Sequence, residues 1–88
     1  MKLYVTELGK NQFEVICNGE AIFQSYRSII AIKRNCGQVS LSHHYDYSKT
    51  TMKYLKAFLG HGVAETRKKI DAGEYKVNID IYGNDLKN

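Results

Sequence analysis

The chain has 88 residues, with 13 lysines and arginines against 9 aspartates and glutamates, a net charge of +4 and a pI near 9.1. A chain this short makes one domain, residues 1–88, whose small core supplies only a few kcal/mol of net stability, which excludes multi-domain enzymes. The longest apolar run, Ile29-Ile30-Ala31-Ile32, falls far short of the roughly 20 residues that cross a bilayer, so no membrane partner is expected.

The start, Met1 to Glu7, lacks the apolar stretch of a signal peptide, and a cytoplasmic location is expected. Cys17 and Cys36 form neither a C-x-x-C pair nor a Cys/His ladder, which points to reduced, small apolar residues and to no zinc. The absence of proline and of any low-complexity stretch leaves no candidate linker.

In chain order, Leu3 and Val5 alternate with Tyr4 and Thr6, and Phe13, Val15 and Cys17 alternate with Glu14, Ile16 and Asn18, so two strands flank Gly9-Lys10-Asn11. Asn18-Gly19 supplies the two positive-φ residues of a type I′ hairpin turn and leads into a third strand over residues 20–24. Ile29 to Arg34 reads as a buried fourth strand. After Asn35-Cys36-Gly37, residues 38–43 return as its partner, with Val39 and Leu41 on one face and Ser40 and Ser42 on the other.

Ser48 is a good N-cap for a helix whose apolar stripe is Met52, Leu55, Phe58 and Leu59, and Gly60 ends it as a left-handed residue. A corner at His61-Gly62 precedes a shorter helix marked by Val63, Thr66 and Ile70 and closed by Gly73. Tyr75, Val77, Ile79 and Ile81 then alternate strictly as a last strand, followed by a polar tail, residues 83–88, that is expected to fray. The order predicts an α+β fold: an antiparallel sheet of four to six strands, one face solvated, with a two-helix hairpin packed on the other before the last strand. The predicted core is Val5, Phe13, Val15, Phe23, Ile30, Ile32, Val39, Leu41, Leu55, Phe58, Leu59, Ile70, Val77 and Ile79.

Three stretches, Ile22-Phe23-Gln24-Ser25-Tyr26 with Ile29-Ile30-Ala31-Ile32, Asp46 to Gly60, and Glu65 to Ile70, resemble small proteins of tailed bacteriophages and prophages. The resemblance spans about residues 22 to 75, and its most specific part is Tyr47-Ser48-Lys49-Thr50-Thr51 with Lys53-Tyr54-Leu55. One departure precedes it: where the pattern carries an aromatic such as Trp, this chain has His44-Tyr45. The family has no established activity, so the resemblance implies an origin, a host bacterial cytoplasm and no catalytic residues. It also implies a habit common to small phage proteins, binding and inhibiting host or defence machinery such as CRISPR effectors.

The residues themselves offer several chemistries. His43 and His44 are adjacent, and on an extended strand their rings point to opposite faces, so a metal would need His61 or Asp46 as well; an ordinary histidine pair at a loop edge explains them. Asp46 stands near enough to orient a histidine, yet no nucleophile or oxyanion loop accompanies it. Thr50 and Thr51 in a first helical turn suggest a phosphate, but the glycine-rich approach of a P-loop is missing and capping accounts for the run. Gly60-His61-Gly62 is only loosely like helix-turn-helix, because Arg67, Lys68 and Lys69 are consecutive and point around the second helix.

The concentrated surface is basic and aromatic. Lys49, Lys53 and Lys56 recur at i, i+4 and i+7 and share one helical side. With Tyr45, Tyr47, Tyr54, Arg67 and Lys68 they form the candidate partner-binding set; a solvated lysine face and tyrosines sealing the sheet-to-helix junction are the simpler explanation. No cofactor and no enzymatic activity are expected. The expected partner is a bacterial host or defence protein, with nucleic acid as the alternative, and an open sheet edge leaves room for a homodimer unless Lys2, Lys10 or Lys76 blunts it.

Overall fold

The computed structural model describes residues 3–86. Six strands, β1 (Leu3–Gly9), β2 (Gln12–Cys17), β3 (Glu20–Ser25), β4 (Ser28–Lys33), β5 (Val39–Ser42) and β6 (Tyr75–Ile79), form one sheet in the order β1-β2-β3-β4-β5-β6. Two helices, α1 (Lys49–Leu59) and α2 (Val63–Asp71), lie between β5 and β6 in sequence, giving the α+β fold read from the chain.

Local chemistry sets the turns. Asn18 and Gly19 adopt φ of 52° and 82°, the two left-handed residues that a type I′ turn requires between twisted strands. The first five strands are antiparallel neighbours, as expected, but β6 runs parallel to β5, pairing Val39 with Tyr75 and Leu41 with Val77. The expectation of a wholly antiparallel sheet is corrected on this point. Parallel neighbours need a crossover of about a dozen residues or more, and α1 and α2 are that crossover.

The helices cover one face. Phe23, Ala31, Val39, Leu41, Leu55 and Phe58 are buried there, with the Phe23 and Phe58 rings stacked at 5.7 Å between centroids. Leu59, Ile70 and Val77 pack at its margin. Val5, counted with the core from sequence, is 61% exposed: it belongs to the cross-strand row Val5, Val15, Ile22, Ile32, which faces away from the helices. Phe13 and Val15 are half-buried.

Alternation places Ser40 and Ser42 opposite Val39 and Leu41, yet all four are buried. The polar pair is hydrogen-bonded: Arg34 Nε donates to Ser40 Oγ at 3.3 Å, and the His44 amide to Ser42 Oγ at 3.2 Å. Residues 83–86 of the tail also depart from expectation, because they fold back instead of fraying. Ile29 N donates to the Ile81 carbonyl at 2.7 Å, Leu86 N to the Asn78 carbonyl at 2.9 Å, and Arg34 pairs with Asp85 at 3.2 Å. The predicted strand over residues 75–82 accordingly ends at Ile79, where Asp80 opens a turn by accepting the amides of Tyr82 and Asn84. Lys2, expected to blunt a sheet edge, and Lys87 and Asn88 of the expected tail lie outside the described residues.

Candidate functional site

The start of α1 is built by hydroxyl groups. Ser48, in extended backbone, accepts from the Thr51 amide at 3.1 Å, which satisfies one of the donors a helix leaves open at its first turn. Thr51 is itself buried and meets the buried Ser25 of β3 at 3.0 Å, oxygen to oxygen, while Ser48 Oγ donates to Thr51 at 3.1 Å. Helix and sheet are thus fastened at this point. Gly60, with φ 87°, closes the helix and donates its amide to the Lys56 carbonyl.

With Thr51, Leu55 and Phe58 turned inward, Lys49, Lys53 and Lys56 are all exposed on the outer side, as their spacing predicts. Four ion pairs are formed among the described residues, by Arg34, Arg67 and Lys69, and none involves these three lysines. The helix sequence Lys49–Leu59 contains no carboxylate. Its outer face is therefore uncompensated positive charge.

The aromatic members of the predicted set divide. Tyr47 is 69% exposed, whereas Tyr45 and Tyr54 are half-buried and pack against the core. Tyr54 lies on Gly9 of β1, so it docks helix to sheet. Arg67 of α2 donates to Asp46 at 3.1 Å; the Tyr45 hydroxyl, the larger cause, and Asp46 together hold its guanidinium above the ordinary arginine value. Lys68 is exposed beside it on α2. The structure brings Tyr45, Asp46 and Arg67 together and leaves Tyr47, Lys49, Lys53, Lys56 and Lys68 open to solvent.

The histidines are separated in role. His43 and His44 lie at a loop edge, as expected, in the turn after β5, which ends one residue before the predicted strand did, and their rings meet edge-on at 4.3 Å between centroids. His61 stands elsewhere, its Nε2 2.8 Å from the Tyr75 hydroxyl and its Nδ1 3.3 Å from Thr66 Oγ1. Burial raises Tyr75 above the ordinary tyrosine value, with Lys69 opposing. Among the described residues no three His, Cys, Asp or Glu side chains are grouped to hold a metal ion. Cys17 and Cys36 are free thiols.

One feature escaped the sequence: an open groove of about 780 Å³ between the β3–β4 turn and the start of α1. Ser25, Tyr26, Arg27 and Ser28 form one wall, and His44, Tyr47, Ser48 and Thr50 the other. The turn is fixed by Tyr26 N donating to the Asn11 carbonyl and by Gln24 Nε2 donating to Tyr26 O at 2.8 Å. Tyr26 sits at φ 57°, unusual for a bulky residue. Its only sequence signal was the polar tetrapeptide Ser25-Tyr26-Arg27-Ser28 between two strands, which says turn and nothing of a groove.

A family of unknown function (DUF8033) matches residues 2–74. No curated protein and no solved structure matches the chain.

Proposed function

We propose that this chain, which belongs to the family of unknown function DUF8033, is a phage-derived binding protein without catalytic activity. In this reading it holds, and most simply inhibits, a bacterial host or defence protein, CRISPR-type effectors included, in the bacterial cytoplasm. The observation that carries the reading is the outer face of α1, where Lys49, Lys53 and Lys56 stand exposed and unpaired among the described residues on a helix without a carboxylate.

A rigid face of one charge sign favours a partner of the other, raising the encounter rate and rejecting basic surfaces. Tyr47 at the helix entry and Arg67 on α2 add the side-chain types that most often anchor protein interfaces. The phage setting rests on the sequence resemblance of residues 22 to 75 alone. No helix among the described residues is long and apolar enough to cross a membrane.

The test is capture from nuclease-treated bacterial lysate. Wild-type protein retains one acidic protein at near-stoichiometric amount, and the variant with Lys49, Lys53 and Lys56 all changed to Gln, folded by circular dichroism, does not. Recovery of nothing after nuclease treatment, with strong retention before it, would count against a protein partner.

Nucleic acid is the second reading, favoured by one observation: the helix that carries the lysine row begins at a groove lined by Tyr47, Arg27 and His44 and by no carboxylate. Such binding falls steeply with salt, and the slope shrinks by about 0.7 to 0.9 for each phosphate that the protein ceases to neutralise. Self-association through β1 is a separate option, since Leu3-Tyr4-Val5-Thr6 carries no charge and β1 is an edge of the sheet.

A further inference from the structure

We propose that the groove between the β3–β4 turn and the start of α1 is a nucleotide site, with the phosphate held by Arg27, His44 and the first turn of α1 and the base lying against Tyr26 and Tyr47. It rests on the groove alone and is independent of the protein-partner reading.

Charge comes first. Of the arginines, Arg34 is paired with Glu20 and Asp85, and Arg67 with Asp46. Arg27 makes no ion pair or side-chain hydrogen bond among the described residues, and it lines the groove, as does His44, while no Asp or Glu does. A guanidinium without a counter-ion beside a concave, acid-free wall presents a donor fork that matches two phosphate oxygens.

The opposite wall has the same sign. Ser48 Oγ is committed to the Thr51 amide, so the amides of Lys49 and Thr50, which a helix leaves without intrahelical acceptors, remain to serve an anion, and no acidic side chain of the first turn neutralises that end. A helix end alone would mean little. Here Ser48 and Thr50 share the groove with an unpaired arginine across it.

The rings supply the rest of the site. Tyr26 and Tyr47, 53% and 69% exposed, both line the groove. Tyr26 takes a left-handed backbone conformation in a turn pinned to Asn11 and Gln24, and it lines the groove. Exposed tyrosines flanking a cationic groove are how proteins stack bases while gripping the backbone. A volume of about 780 Å³ lies within the range of roughly 300–1,000 Å³ typical of small-molecule sites. A free mononucleotide and one unit of a single-stranded chain offer the same phosphate and ring.

Calorimetric and amide-shift titrations of the full chain decide it, with inorganic phosphate, adenosine, the four ribonucleoside 5′-monophosphates and a 5′-phosphorylated trinucleotide as probes. At least one nucleotide saturates the protein, shifting Arg27, Tyr47 and Thr50, and binds about tenfold tighter than adenosine or phosphate. Arg27→Gln weakens it about tenfold, whereas Lys76→Gln on β6, exposed and away from the groove, leaves it unchanged; Tyr47→Ala and Tyr26→Asn, the latter chosen because Asn tolerates positive φ, weaken nucleotide but not phosphate. A trinucleotide preferred over every monophosphate assigns the source to a chain, and the reverse assigns it to free nucleotide; either sustains the site. No saturable binding by any nucleotide, equal affinity for adenosine and its monophosphate, or an Arg27→Gln variant that binds like wild type would overturn it.

Discussion

The Tyr54 ring of α1 rests directly on Gly9 of β1, so closely that a Cβ on Gly9 would overlap the Tyr54 hydroxyl and ring carbons. Glycine is needed there for space, because its neighbour across the interface is a packed aromatic. Gly9→Ala is expected to cost about 1–3 kcal/mol, the usual penalty of overpacking. Combining it with Tyr54→Ala should cost less than the two single changes added, since the second removes what the first collides with. Urea melts of the four proteins measure this; a Gly9→Ala variant within about 0.5 kcal/mol of wild type contradicts so close an approach.

Ser25 and Thr51 form the second fastening between sheet and helix. Thr51→Val keeps the shape but leaves a buried Ser25 hydroxyl without its partner, at a cost of about 1–3 kcal/mol. Ser48→Ala removes the helix cap for about 1 kcal/mol. Because Ser48, Thr51 and Ser25 share one chain of hydrogen bonds, the changes are non-additive in a double-mutant cycle, and strict additivity would show the groups to be independent.

Gln12 is fully buried opposite Ser25, with neither its side-chain oxygen nor its nitrogen bonded among the described residues. A buried amide without partners carries a desolvation penalty that an apolar side chain of similar length avoids. Gln12→Met is therefore expected to raise stability by about 1 kcal/mol. Thermal and urea unfolding that show a comparable loss instead would mean the amide is satisfied, by an ordered water for instance.

Burial holds Tyr75 above the ordinary tyrosine value, and this fixes a pH dependence. Below about pH 10 the ring is protonated in both folded and unfolded chains, so it contributes no slope. Above that, the unfolded chain releases its proton first, binds fewer protons than the folded chain, and gains population, so stability falls as pH rises towards the folded value. The difference in stability between wild type and Tyr75→Phe should be flat below about pH 10 and shift in favour of the Phe variant above it. A difference that stays constant from about pH 9 to about 11.5 would contradict the shift.

Element order was legible because its signals are local. Asn18-Gly19 carries its own turn geometry, Ser48 and Gly60 mark the ends of α1, and the stripe of Leu55 and Phe58 fixes its inward side. What the sequence did not reveal depends on neighbours. Strict alternation over Tyr75–Ile79 announces a strand but not its direction, and only the helical crossover makes it parallel to β5. Ser40 and Ser42 look solvent-facing until Arg34 and the His44 amide are seen to bond them. Val5 has the alternation of a core residue but lies in a row the helices do not reach.

The same division runs through the candidate surface. Lys49, Lys53 and Lys56 follow from helical spacing alone, whereas the inward packing of Tyr45 and Tyr54 depends on where β1 and the core lie. The groove at Arg27 was invisible because its walls come from segments some twenty residues apart, and because no residue pattern announces a tyrosine at positive φ.

Whether α1 presents the contact face is decided by measuring the affinity of the captured partner for wild type, for the Lys49/Lys53/Lys56→Gln variant and for Val5→Asp, across a range of salt concentrations. Affinity is expected to fall with salt for wild type, the triple variant to lose at least about tenfold together with most of the salt slope, and Val5→Asp to bind like wild type. An unchanged triple variant with binding abolished in Val5→Asp would place the contact on β1 and the face away from the helices, and would contradict a contact through α1.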